Sequence, residues 1–394
     1  MNLHKISRIA KVSIGSAAMI LGLASCSLDY VVGYVYMTTT KQTPGVINQY
    51  AIDFQSGALT QIGTPVAAGN NPVRLIADPT GKFIYVVNQG SNNVQEFAVQ
   101  GDGSLASKNT YTTGNSPTAV AIDPQGKFLY VTFAHQTGTT GPGGVSIFPV
   151  NADNSLGTAL TQPVGNGPVA VSVSYFNHFV YVVDQETPTS AQILGFAQNT
   201  TTGALTPVPG TTIANVGGVT VATGFPVAGI PSAIAEEQTS RFVYVTDQRD
   251  NYLIGYNVRP DGSLLAMING PFQTGLYPVD VKVDPAGKLL YVVNFNSSTI
   301  TGYAIDSSTG TPSASGGIQG TKVGVSPTCA TIDPALGTFL YTSNSQDNSV
   351  SGERLNPNTG TFDPVQNSPF NGSGQPSCLV AVANGAHATQ VIQP

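Results

Sequence analysis

Hydrophobic positions in this chain alternate with polar ones in short runs, and the runs recur at long intervals. A proline opens each run, at Pro72, Pro117, Pro168, Pro231, Pro278, Pro327 and Pro376. Alternation of the kind seen in Thr118-Ala119-Val120-Ala121-Ile122 predicts a strand with one face buried. A turn follows, as in Asp78-Pro79-Thr80-Gly81, Asp123-Pro124-Gln125-Gly126 and Asp284-Pro285-Ala286-Gly287. Its aspartate accepts from the backbone, its proline presets φ and its glycine closes the turn. Runs of Tyr, Val and Phe come next, at 83–87, 128–132, 179–183, 242–246, 289–293 and 339–342, and predict a buried second strand. A third strand carries Tyr50, Phe97, Phe148, Phe196, Tyr256 or Tyr303 near its middle, a place that Glu353 takes in the last copy. That acid predicts a partly exposed third strand there. A second turn, such as Asp102-Gly103-Ser104-Leu105 or Asp261-Gly262-Ser263-Leu264, opens a short fourth strand.

Four antiparallel strands per repeat of roughly 45–50 residues are the signature of an array of sheets around an axis. The fold class is therefore all-β, a β-propeller. The copy at Pro376 supplies only a first strand, while residues 31–62 supply the later strands without one. Joined, they make one composite blade beside six internal ones, a seven-bladed ring closed by both termini. Closure of this kind leaves no exposed sheet edge to recruit other chains. With the composite blade as blade one, Pro72 opens blade two and Pro327 opens blade seven.

The strand pattern [Phe/Leu]-x-Tyr-Val-[Thr/Val]-[Asn/Asp], the Asp-Pro-x-Gly-Lys turn and the Thr-Gly-x-Leu hairpin together resemble the lactonase-type seven-bladed propellers. That group includes 6-phosphogluconolactonase-like proteins and the related YVTN-repeat surface proteins. The resemblance implies hydrolysis of a sugar lactone as one function, with His, Arg and Glu around the channel mouth. The Gly-Pro-Arg-His type of motif expected at an inner strand is absent; Ile230-Pro231-Ser232-Ala233 stands in one such place. The other reading is a binding and interaction module without chemistry, since one propeller scaffold hosts many functions.

Composition adds location. Residues 1–11 carry Lys5, Arg8 and Lys11, and residues 12–24 are apolar or small. This predicts a secretory signal over residues 1–25, too short to span a bilayer stably. Leu23-Ala24-Ser25-Cys26 resembles the bacterial lipobox, so Cys26 is the expected lipidated residue, with 26–30 as tether and 31–394 as propeller. Ser27 after it implies sorting to the outer membrane, and the expected location is the cell envelope. Without the signal, twelve Lys and Arg face twenty-one Asp and Glu, a net charge of −9. No basic stripe appears, so nucleic acid is not an expected partner. The expected partners are a small molecule, glycan or protein at the channel mouth, and the membrane through the lipid anchor; the chain is expected to be a monomer.

Candidate chemistry lies at one end of the channel. Extra length at residues 134–144, 185–192 and 206–230 falls on the face of the second-to-third loops and blade crossovers, which marks that face for binding. Second strands end toward it in Asn88, His135, Asp184, Asp247, Asn294 and Asn344, with Arg249 just beyond. Inner strands carry unusual charges at Arg74, Glu236 and Asp280. Lactone hydrolysis needs a base for water and a donor for the developing oxyanion. His135 or Glu236 fits the first role, Arg74 or Arg249 the second. Asp184, Asp247, Asp280, Asn88, Asn294 and Asn344 are candidate ligand-binding residues. The chain has 4 His, too few for a multi-histidine metal site, and no cofactor motif appears. Cys329 and Cys378 each follow an anchor proline by two residues, on neighbouring inner strands across the closing seam. Either they form a disulfide that locks the ring, or they are two buried small hydrophobes.

Overall fold

In the computed structural model, seven antiparallel sheets stand around a central channel, and each has an anchor proline at or near the start of its inner strand. The described residues are 31–135, 141–187, 190–216, 219–227, 229–317 and 320–385. The signal, the tether and Cys26 lie outside them. The inner strands, from blade one to blade seven, are Pro376–Ala383, Pro72–Ala77, Asn115–Ile122, Pro168–Val173, Pro231–Glu236, Pro278–Val283 and Pro327–Ile332. The second strand of blade one, Val31–Thr39, pairs with Pro376–Ala383, and Tyr34 lies opposite Val382. The ring is thus closed by the two ends of the chain.

The repeated tyrosine explains why the blades hold together. In every blade but the sixth, where Tyr291 makes no such bond, its hydroxyl crosses to the next blade and donates to a carbonyl in the third-to-fourth turn. Tyr36 reaches Gly103 at 2.7 Å, Tyr181 reaches Gly262 at 2.9 Å and Tyr244 reaches Gly310 at 2.6 Å. Tyr341 reaches Gly57 at 2.8 Å, across the seam. The turn glycine is required twice over. Gly203 has φ +74°, and a Cβ there would lie 2.5 Å from the Phe128 ring. A buried hydroxyl needs such an acceptor, so Tyr and Gly recur together.

The first turn works by its aspartate. Asp284 is buried, and its Oδ1 accepts from the backbone N–H of Lys288 at 2.7 Å and of Leu289 at 2.6 Å. Asp333 does the same for Thr338 and Phe339, at 2.9 and 2.8 Å. Burial pushes both carboxyls up, and the backbone donors oppose it.

Three details depart from the sequence reading. Residues 206–230 form no plain crossover: the hairpin Thr212–Val216 with Val219–Thr223 is inserted, and the chain returns as Phe225–Val227 onto the third strand of blade four. The expected loop at 185–192 is largely an extension of two paired strands, Phe179–Thr187 and Ser190–Gln198, with Thr187 opposite Ser190. Glu353 is not exposed but 2 % accessible, which burial and nearby Asp363 answer by raising its carboxyl to about 7. Finally, Cys329 and Cys378 are bridged across the seam between blades seven and one.

Candidate functional site

Every inner strand slips register between its anchor proline and the second residue after it, as at Pro72/Arg74, Pro231/Ala233 and Pro278/Asp280. Such a bulge re-aims side chains, here so that two successive positions contribute to the channel wall. The first position after the proline lines a cavity of about 590 Å³ at the mouth. It alternates round the ring: Ser377, Val73, Thr118, Val169, Ser232, Val279, then Thr328. The hydroxyls of Ser377, Thr118 and Ser232 donate to the anchor-proline carbonyl of the next blade, at 2.6–2.8 Å. Above them stand Gln89, Gln185, Gln248 and Gln375, with Tyr277 and Phe295 on the blade-six side.

The second position forms the next layer down and lines a cavity of about 190 Å³. Round the ring it reads Cys378, Arg74, Ala119, Ala170, Ala233, Asp280 and Cys329. Arg74 and Asp280 therefore stand on well-separated walls, with the disulfide along one side and three alanines along the other. Asp280 is 4 % exposed; its Oδ1 faces Lys282 Nζ at 3.3 Å and its Oδ2 accepts from Ala330 N at 2.9 Å. Arg74 has no hydrogen-bond or ion-pair partner among the described residues, and it lines both cavities. Val169 and Ser232 also line both, so the two spaces meet at this level.

The other candidates are elsewhere. Asn88, Asp184, Asp247, Asn294 and Asn344 are fully buried and turn inward, away from the mouth cavity. Asn88 accepts from Gly69 N at 3.1 Å, Asp184 from Gly167 N at 2.9 Å and Asp247 from Ile230 N at 2.8 Å. Asn294 donates to Thr299 and Thr301, and Asn344 to Ser349 and Ser351. These side chains secure strand ends and crossovers. A Cβ at Gly165 would fall 2.1 Å from Asp184 Oδ2, so loop and carboxylate are packed face to face. Burial and the carboxyl of Glu186 beside it raise Asp184 to about 7.

Glu236 sits at the far end of its inner strand, on the opposite face of the disc. It accepts from Ser174 Oγ of blade four at 2.6 Å, and burial raises it to about 8. His135 is exposed at the end of a second strand, with Nδ1 3.2 Å from the Gly141 carbonyl. Arg249 is an exposed partner of Asp250 at 3.2 Å. The structure thus places Arg74 and Asp280 in one layer of the channel, on separate walls, and leaves His135, Glu236 and Arg249 outside it.

Sequence reasoning missed the mouth glutamines and Tyr277. Their signal was positional: the residue immediately before an anchor proline, or immediately after the second strand. It also missed a crossover clamp, in which Asn92, Asn251 and Asn348 accept from the N–H of Ser116, Tyr277 and Gln375 at 2.8, 2.7 and 2.6 Å.

Comparison with known proteins adds the family. A family model described as lactonase, seven-bladed beta-propeller, matches residues 34–170 and 177–324. The 6-phosphogluconolactonase of Bacillus subtilis is 24% identical over 272 residues, which cover 68% of this chain and 75% of that protein. A crystal structure of a protein from Bacteroides uniformis superposes with a TM-score of 0.72 at 19% identity, over 89% of this chain and 99% of that one. The periplasmic gluconolactonase of Pseudomonas aeruginosa superposes with a TM-score of 0.69 at 19% identity, over 89% and 99% of the two chains.

Proposed function

The chain belongs to the lactonase family of seven-bladed β-propellers, and from that premise we propose that it hydrolyses a sugar lactone in the channel. The observation that carries the reading is Arg74, a cation without a partner among the described residues, lining both cavities in the layer that also holds Asp280. In this reading Asp280 takes a proton from water as the water oxygen bonds to the lactone carbonyl carbon. Its carboxylate keeps acceptor capacity beyond the contacts to Lys282 and Ala330. Arg74 stabilises the negative charge that gathers on the carbonyl oxygen. The ring C–O bond then breaks, the leaving oxygen takes the proton back, and a sugar acid is released. The neutral amides and hydroxyls of the mouth suit the hydroxyl groups of a sugar.

The test is hydrolysis of glucono-1,5-lactone and its 6-phosphate. Arg74→Gln and Asp280→Asn are each expected to lower kcat by about 10²–10³, the usual loss for one such group. Wild-type protein with no rate above the uncatalysed one sinks the proposal. The binding-module reading draws support from a mouth lined by neutral groups apart from Arg74; the family and its lactonase-named relatives weigh for the hydrolase.

We propose also that the chain is exported and lipidated at Cys26. Val31 starts its strand on the turn face, where Asn384 Nδ2 donates to its carbonyl at 2.9 Å. Cys26→Ser is expected to move the protein from the membrane to the soluble fraction; unchanged membrane association counts against it.

A further inference from the structure

Each crossover delivers one residue to the rim, immediately before the anchor proline. In five blades that residue has a left-handed backbone: Asn71 (φ 48°), Ser116 (51°), Tyr277 (58°), Ser326 (55°) and Gln375 (30°). Asn fits there at little cost, because its short polar side chain tolerates this region, and Ser116, Ser326 and Gln375 adopt it in three further blades. In blade six the structure holds a tyrosine there. Asn251 Oδ1 accepts from Tyr277 N at 2.7 Å, and the Tyr277 carbonyl accepts from Phe295 N at 2.9 Å. The crossover imposes this backbone in blade six as in four other blades, so what distinguishes Tyr277 is the bulky ring that the position carries.

What that ring delivers is an aromatic surface. Tyr277 is 39% exposed, its ring centre lies 6.0 Å from that of Phe295, and both rings line the mouth cavity that Arg74 also lines. All other mouth side chains are aliphatic, hydroxyl, amide or guanidinium. The pair therefore makes the rim asymmetric: one sector offers an aromatic plane, the rest hydrogen bonds and small aliphatic groups.

We infer that Tyr277, backed by Phe295, is a specificity-determining platform for a ring-shaped sugar acid or lactone, whose apolar face lies on the aromatic plane while its carboxylate or lactone carbonyl oxygen meets Arg74. This rests on the reading of the mouth as a sugar site and adds that the ring must be closed. It gives a reason for a lactonase to hold its cyclic substrate and release the open-chain acid: opening the ring removes the flat face.

Two probes of equal charge separate the terms. D-glucuronate is a carboxylate on a closed pyranose ring, and D-gluconate is an open-chain carboxylate. By calorimetry, wild type is expected to bind glucuronate about three- to tenfold more tightly than gluconate, the worth of one aromatic contact. Tyr277→Ser, the residue of the equivalent sites Ser116 and Ser326, is expected to erase that preference, leave gluconate affinity unchanged and keep or raise Tm. Tyr277→Phe is expected to retain the preference. Arg74→Gln is expected to weaken both probes alike. Equal binding of the two probes by wild type, or an unchanged preference in Tyr277→Ser, overturns the platform while leaving the anion site standing. Failure of wild type to bind either probe overturns the anion site, and the platform with it.

Discussion

On the turn face of the disc, blade after blade repeats one contact, a tyrosine hydroxyl on the carbonyl of its neighbour's turn; on the mouth face, equivalent positions hold Asn, Ser, Tyr and Gln. The first face solves a recurring problem, how to join twisted sheets without leaving buried polar groups unpaired, and solves it with this contact in six of the seven blades. The second meets a ligand that lacks sevenfold symmetry, so the blades must differ. Identity between copies therefore marks structure in this molecule, and departure from the copy marks chemistry. Arg74 and Asp280 among alanines and cysteines, and Tyr277 as the one aromatic before an anchor proline, are departures.

That contrast can be broken at the seam first. Deleting residues 376–394 removes the whole inner strand of blade one and its pairing from Gly33 to Thr39. The expected outcome is loss of soluble folded protein, or a Tm lower by about 15 °C or more, read by thermal circular dichroism. An unchanged Tm would refute closure by the terminal strand. Next comes a turn-face residue against a mouth residue. Asp123→Ala strips a buried acceptor from the Lys127 and Phe128 N–H groups and is expected to cost about 2–4 kcal/mol in urea unfolding. Arg74→Gln is expected to change stability by less than about 0.5 kcal/mol, with its effect confined to ligand and rate.

A smaller effect concerns Glu353, a departure from the copy that faces neither ligand nor channel. Its carboxyl is raised to about 7, so the folded state holds the proton more tightly than the unfolded chain does. Its contribution is favourable below about pH 4.5, and stability is lost as pH climbs toward 7. Glu353→Gln is expected to stabilise by about 1–3 kcal/mol at pH 8 and by almost nothing at pH 4. A gain independent of pH would mean that titration is not the cause. Asp184 and Glu236, raised for the same reason, add to a decline in wild-type stability between pH 5 and pH 8. Smallest is Tyr244→Phe, which leaves one turn carbonyl unpaired and is expected to cost about 1 kcal/mol. A change of several kcal/mol would mean that the hydroxyls act as a linked belt rather than singly.

The anchor prolines, the turn aspartates and the strand tyrosines were legible in the chain because they act through neighbours in sequence and recur at fixed spacing. Blade number and closure by the two ends followed from counting those copies. Arg74 and Asp280 were also visible, as charges breaking an apolar stripe, but only folding could set them in one layer of one channel. The sequence treated the residues ending the second strands as site candidates because polar side chains at strand ends usually face water. In the structure, glycine-bearing crossovers fold down over Asn88, Asp184 and Asp247 and bury them. Likewise Glu236 and Arg74 lie on similar inner strands, yet at opposite ends of them, which is the difference between a blade-to-blade contact and a site. Local backbone chemistry determined the repeat, whereas convergence at the mouth depended on bulges and crossovers that bring together residues about fifty positions apart, a distance over which periodicity carries no direction.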